Sequence, residues 1–189
     1  MAREPPGSAW LTEQAGWQRR VTTLCREEGD EPALRHLRRR LDRWPAATLP
    51  GYRLARAQTR LKWLAAGSAP RIVATFLRVL CDGWCTSRRF QGRGHCLFGC
   101  GPNPDSVKHF ACCPVVRRLL TSVVGLASLA AGWELDEFLG LNWPEREMVL
   151  RGRSLYALYR VHNSIRVGHI ATAQLEGAFR GALLEAGMV

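Results

Sequence analysis

The stretch Cys96-Leu97-Phe98-Gly99-Cys100-Gly101-Pro102-Asn103-Pro104-Asp105-Ser106-Val107-Lys108-His109-Phe110-Ala111-Cys112-Cys113 decides how the rest of the chain is read, because it contains the spacing C-x₃-C-x₈-H-x₃-C. Zn²⁺ accepts sulfur and nitrogen donors without redox chemistry, so thiolates and an imidazole that can meet at one point are what a tetrahedral structural site requires. Between the two halves, Gly101-Pro102-Asn103-Pro104-Asp105-Ser106 is a run of turn formers that lets the chain double back and bring His109 to the first cysteine pair. The stretch therefore reads as a zinc knuckle with Cys96, Cys100, His109 and Cys113 as ligands. Cys113 is preferred because Pro114 follows it and a short turn fits after His109, but Cys112 can take its place, and His95 stands beside Cys96. Cys81 and Cys85 repeat the C-x₃-C spacing and form a rival four-cysteine set with Cys96 and Cys100, one that leaves His109 unused. Cys25 and Cys81 lie in apolar helical surroundings, where free cysteine packs as a small hydrophobe.

On the N-terminal side of the knuckle, the periodicity is helical. Pro70 introduces Ile72, Val73, Phe76, Leu77, Val79 and Leu80, apolar on enough sides to make the most buried helix of the first half, ending near Gly83. Before it, a helix with Leu54, Ala57, Leu61 and Leu64 inward displays Arg53, Arg56, Arg60 and Lys62. Beyond the break at 45–51, Pro32 opens a helix with Leu34, Leu37, Leu41 and Trp44 on one face and Arg35, Arg38, Arg39, Arg40 and Arg43 over much of the rest. Such a basic amphipathic helix can lie on a phosphate backbone, act as a nuclear-import patch, or simply be a solvated face. Residues 8–28, with Leu11, Trp17, Val21 and Leu24 after a Ser8 N-cap, form a first helix.

On the C-terminal side, Val115, Val116, Leu119, Leu120, Val123 and Val124 make an apolar helix with Arg117 and Arg118 facing out, expected to pack on the helix at 70–82. Residues 133–139 read as a short helical piece. Pro144 begins another, whose buried stripe is Leu155, Leu158, Tyr159, His162 and Ile165. Gly168 separates a last helix through Leu175, Phe179 and Leu183. No convincing period-2 strand and no internal repeat is visible, so the fold class is mainly α, a helical domain with one zinc-knuckle loop. The chain divides into a basic N-terminal segment 1–68, a knuckle region with flanking helices 69–131, and a C-terminal helical segment 132–189.

At 189 residues and 47% hydrophobic, the chain can bury an ordinary core. No stretch approaches the roughly 20 apolar residues of a membrane span, and the first residues lack a signal-peptide core, so neither membrane insertion nor secretion is expected. Seven cysteines, an odd number, argue against a disulfide framework and for a reducing compartment, the nucleus or the cytoplasm. The formal charge is +11, and Lys62 and Lys108 are the only lysines. Arginine's planar fork binds phosphate bidentately and stacks on bases, so the bias suits RNA or DNA, although a GC-rich genome also favours arginine. Arg88 and Arg89 lie between Trp84 and Phe90, a mixture that can hold phosphate and stack a base, while rings of this kind are more often core. Paired Asp-Asp, Asp-x-Asp, Walker A, G-x-S-x-G and H-E-x-x-H motifs are all lacking, so the common sequence-readable routes to phosphoryl, acyl and zinc-hydrolytic chemistry are missing.

The run Leu77-Arg78-Val79-Leu80-Cys81-Asp82-Gly83-Trp84-Cys85-Thr86-Ser87-Arg88-Arg89-Phe90, the Cys-Cys-His-Cys spacing, the Asp-Ser-x-x-His leading to His109 and the ending Cys113-Pro114 together resemble a known module. They are similar to the C-terminal zinc-binding (CCHC-like) region of LINE-type non-LTR retrotransposon reverse transcriptases. The stretch 155–163 is similar to the aromatic, basic helix that follows that module. The resemblance implies a region that contacts template RNA or target DNA beside an upstream polymerase domain, with Zn²⁺ held by Cys96, Cys100, His109 and Cys113. It makes Arg88, Arg89, Arg93, Arg117 and Arg118 the phosphate contacts. The first cysteine pair is spaced by three residues rather than the common two, the gap from His109 to Cys113 is short, and the polymerase carboxylates are absent. The chain is therefore expected to bind nucleic acid and not to polymerise on its own; a helical protein-interaction scaffold closed by zinc is the other class that fits.

Overall fold

The computed structural model describes residues 32–44, 50–87, 94–125 and 135–188. The helix expected at 8–28 lies outside them, as do Arg88, Arg89, Phe90 and Arg93. Among the described residues the fold is mainly helical and contains no strand. Eight α-helices follow in order: α1 Pro32–Leu41, α2 Pro50–Gly67, α3 Pro70–Leu80, α4 Val107–Phe110, α5 Pro114–Arg118, α6 Leu135–Phe138, α7 Glu145–Arg166 and α8 Leu175–Glu185. A π-helical turn, Leu119–Val123, continues α5, and a 3₁₀ turn, Thr172–Gln174, leads into α8.

The apolar stripes land where their spacing puts them. Leu34, Leu37, Leu41 and Trp44 are buried on α1 and the turn after it, and Ala57, Leu61 and Leu64 on α2. On α3, seven residues from Ile72 to Leu80 are buried. The stripes of α2 and α3 converge on α7, which at 22 residues is about 33 Å long. It packs against α2, α3 and α8. Gly152 permits the close approach to α2, because a Cβ there would stand 2.5 Å from Leu64 Cδ1. Leu155, Leu158 and His162 are buried on α7 as the stripe requires, whereas Tyr159 and Ile165 are half-buried. The apolar helix after the knuckle spans its expected length as α5 and the π turn that continues it, but the π turn packs against α8, whereas the helix at 70–82 was the expected partner.

Two arginines depart from the surface positions that charge alone assigns. Arg53, expected to be displayed, is buried, with Nη2 at 2.6 Å from Asp136 Oδ1 and Nη1 donating to the Trp44 carbonyl. Arg151, also buried, pairs with Glu137 at 2.8 Å and Glu147 at 2.6 Å, and lies over the Trp143 ring. A four-residue helix is too short to persist alone. Paired acids on α6 tie it to α2 and α7 and so fix its place.

Side chains of α1 and the turn after it finish the end of α3. The last carbonyls of a helix have no partner within it and carry partial negative charge. Arg40 Nε donates to the Cys81 carbonyl at 2.7 Å, and Trp44 Nε1 donates to the Leu80 carbonyl at 3.0 Å. The chain leaves α3 through Asp82 at positive φ, and Gly83 N–H returns to the Arg78 carbonyl. Trp84 then enters the core with no exposed surface, its ring against Phe110, Tyr159 and His162. Its place in the sequence allowed base stacking or burial; burial is what the fold makes of it.

Candidate metal centre

The knuckle stretch folds as two facing arms. Cys96 N–H donates to the Asn103 carbonyl at 2.7 Å, and His95 and Pro104 form an isolated antiparallel bridge. Gly99 N–H closes a turn onto the Cys96 carbonyl, and Gly99 and Gly101 take positive φ, a backbone region costly for residues with a Cβ. The turn formers between Cys100 and Ser106 thus reverse the chain as their composition predicts. Ser106 then caps α4, its hydroxyl accepting from His109 N–H at 3.1 Å. That cap starts the helical turn that carries His109. Cys113 ends the reversal as N-cap of α5, with Pro114 in the first helical position.

These local devices bring four donor atoms together. Cys96 Sγ, Cys100 Sγ, a His109 ring nitrogen and Cys113 Sγ all lie within 4.8 Å of one another. Cys96 and Cys113 sulfurs are 3.9 Å apart, and Cys100 Sγ is 3.0 Å from His109 Nε2. Cys96, His109 and Cys113 are buried and Cys100 is half-buried, so the cluster is open to solvent most at Cys100. The set can bind a metal ion. Cys96 and Cys113 belong to the hydrophobic core cluster and Cys100 packs against it, so the centre adjoins the core.

The neighbouring sulfurs and nitrogens are sorted out by position. Cys112 is exposed; its thiol donates to the His109 carbonyl and lies 3.9 Å from Nδ1, across the ring from the nitrogen that faces Cys100. Cys113, not Cys112, completes the cluster. His95 is exposed and outside it, and neither Cys81 nor Cys85 takes part. Burial pushes the Cys81 thiol up to about 11, which keeps it protonated and inert.

The electrostatics suit deprotonated donors once a cation is present. The hydrogen bond to Cys113, followed by burial, pushes the Cys96 thiol far above the ordinary range, while that same bond draws Cys113 down. Metal binding at such a set displaces the thiol protons. Burial lowers the His109 imidazole against a smaller opposing pull from Asp105, which favours the neutral ring that can ligate.

Asp105, within the turn run, holds the cluster to the helical body. Its Oδ2 accepts from Ser87 N–H at 2.8 Å and from the Ser87 hydroxyl at 3.0 Å, and its Oδ1 faces His162 Nε2 at 3.2 Å. Burial raises this carboxyl, but the bonds from His162 and Ser87 outweigh it, and the net shift is downward. His162 is fully buried among Trp84, Phe98 and Phe110. Its Nδ1 has no protein partner, so a proton on Nε2 is the arrangement that leaves no buried donor unmade. Sequence reasoning placed His162 in a buried stripe and Asp105 in a turn without joining them. The signal available was a histidine in an otherwise apolar helical stripe.

Of the five arginines that the resemblance makes phosphate contacts, Arg117 and Arg118 lie on α5, Arg118 exposed and Arg117 half-buried. The others fall outside the described residues. No helix among the described residues is long and apolar enough to cross a membrane.

No protein-family model matches this chain, and neither the curated proteins nor the solved structures provide a match.

Proposed function

We propose that this chain is a zinc-stabilised nucleic-acid-binding module, resembling the C-terminal tail of a retroelement reverse transcriptase, that contacts template RNA or target DNA and is not itself catalytic. One observation carries the reading: three cysteine sulfurs and one imidazole nitrogen within 4.8 Å of one another. Sulfur-rich sets with one imidazole select zinc over the hard cations, which prefer oxygen donors. Four protein donors leave no open position for water or substrate, so the metal's part is structural. Thiolate ligands fit a reducing compartment, the nucleus or the cytoplasm.

Nucleic acid as the partner rests on charge and on what the surface lacks. The chain carries +11, and arginine supplies nearly all of its cations. Among the described residues the exposed large apolar side chains are Tyr52, Val167 and Leu184, too few for the apolar patch of several hundred Å² that marks many protein-docking faces. A strong positive charge, with no such patch among the described residues, favours a polyanion.

The test is to purify the chain, count its zinc, and follow fold and binding to labelled RNA and DNA before and after chelation and across a salt series. One zinc per chain, loss of tertiary structure on chelation and binding that weakens steeply with salt are expected. A metal-free chain with an unchanged fold would overturn the zinc reading. Binding no tighter than that of an unrelated protein of equal charge would overturn the nucleic-acid reading and leave a helical protein-interaction scaffold.

A further inference from the structure

Helix α2 carries three arginines and one lysine and no acidic residue. Its inward stripe is Arg53, Ala57, Leu61 and Leu64; the neighbouring flank presents Tyr52, Arg56, Arg60 and Trp63 in succession. Residues three and four apart share a helix face, so this flank is a continuous row. The Arg56 guanidinium lies 4.0 Å from the Tyr52 ring centroid, and Arg60 lies 4.7 Å from that of Trp63. Arg56 is further fixed by Asn142 Oδ1, which accepts from it.

No described carboxylate neutralises the two cations. Every ion pair of the described residues involves other arginines or His162, and neither Arg56 nor Arg60 has a carboxylate of the described residues within reach. Burial and then repulsion by Arg56 lower the Arg60 guanidinium, and its Nε is buried without a hydrogen-bond acceptor. Like charges four residues apart destabilise a helix, so adjacent unpaired guanidiniums call for an anion from outside the chain. The rings define what else that anion carries. Tyr52 is 47% exposed, although a tyrosine in a monomer's core would be covered. An exposed ring beside a guanidinium plane is a platform for another flat π system, and base faces are free for stacking where bases are unpaired.

Resting on the nucleic-acid reading above, we propose that the flank of α2 formed by Tyr52, Arg56, Arg60 and Trp63 is a track for single-stranded nucleic acid. Arg56 and Arg60, about 6 Å apart along the helix axis, take phosphates. Tyr52 stacks on a base. Duplex binds this flank through phosphates alone, since its base faces are hidden within the stack.

The experiment uses the full chain with zinc and measures fluorescence anisotropy of a labelled oligothymidine strand and of a duplex of equal length across a salt series. Tyr52→Ala removes an exposed ring, and the Arg56→Gln/Arg60→Gln double variant removes two cations. Tyr52→Ala is expected to weaken the single strand about tenfold, as loss of one base–aromatic stack does, with duplex affinity changed less than about twofold. The double variant is expected to flatten the single-strand slope of log K against log salt by about 1.4, from two contacts at about 0.7 each. Unchanged single-strand affinity and slope in both variants, in a chain that still binds nucleic acid, would overturn the track and leave the broader reading standing. Absence of binding by the unmodified chain would overturn both. Displacement of the strand by polyglutamate as effectively as by unlabelled oligothymidine would overturn the track in favour of an acidic protein partner.

Discussion

His162 Nε2 lies 3.2 Å from Asp105 Oδ1 with both side chains buried, so the C-terminal half of α7 and the loop bearing the metal ligands are joined by one polar contact. Removing one member of a buried pair leaves the other uncompensated, which costs about 3–5 kcal/mol. His162→Ala is therefore expected to lower the unfolding free energy by about that amount in urea titrations of the zinc-loaded chain. A loss below about 1 kcal/mol, the range of an exposed pair, would show that the contact is not formed in solution.

Asp105 also sets a pH dependence. Its folded carboxyl sits below the ordinary 3.8, so the stability it contributes is fully present above that value and is lost as pH falls through the folded one. The stability difference between the wild-type chain and Asp105→Asn is expected to be largest at neutral pH and to shrink as pH falls below about 4. A difference that grows with acidification would reverse the assignment.

Metal content separates the adjacent cysteines. Cys113→Ser is expected to lose stoichiometric zinc and most of its cooperative unfolding, because structural zinc supplies about 10–16 kcal/mol of apparent binding energy in small sites. Cys112→Ser is expected to keep both. Mass spectrometry of the native protein reads the first and circular dichroism the second; zinc lost in the Cys112 variant alone would move the fourth ligand.

Arg53→Met is expected to destabilise the fold by about 3–5 kcal/mol, since Asp136 then stays buried without its cation. Arg53→Met/Asp136→Leu is expected to recover most of that, because an apolar pair of similar volume often replaces a buried ion pair without loss. Thermal or urea unfolding of both variants measures the difference, and equal losses would mean that the charge pairing is not what matters.

Gly140 and Gly168 both sit at φ +75, but only Gly140 is crowded: a Cβ there would meet Phe76 Cε2 at 2.7 Å, whereas Gly168 has open space. Gly168→Ala should cost about 1–2 kcal/mol from backbone strain. Gly140→Ala should exceed it by a further 1–3 kcal/mol, roughly, from overpacking. Equal costs would show that the turn relaxes.

Much of this architecture was legible because apolar spacing and metal-ligand spacing are local signals. The stripes of α1, α2, α3 and α8 follow from residues three and four apart, and the Cys and His donors of the knuckle from one turn-rich stretch. Arg53 and Arg151 were harder. Each lies four residues before an apolar stripe member, Ala57 and Leu155, which by helical period points it inward, yet Arg53 was expected to be displayed. Charge misled at Arg53 because its partner comes from elsewhere: Asp136 is 83 residues away in sequence. Asp105 and His162 are 57 residues apart, a pairing no local pattern encodes.

Helix α7 holds Arg151 near its start and His162 near its end, and the eleven-residue step between them is about three full turns, so both act on the same side. Arg151 secures α6, and His162 secures the knuckle loop. One residue inserted between them would rotate the two attachments apart by about 100°. The length of this helix is therefore a gauge: the surface connections of the molecule can gain or lose residues, but an insertion or deletion within that span forces a choice between its two ends.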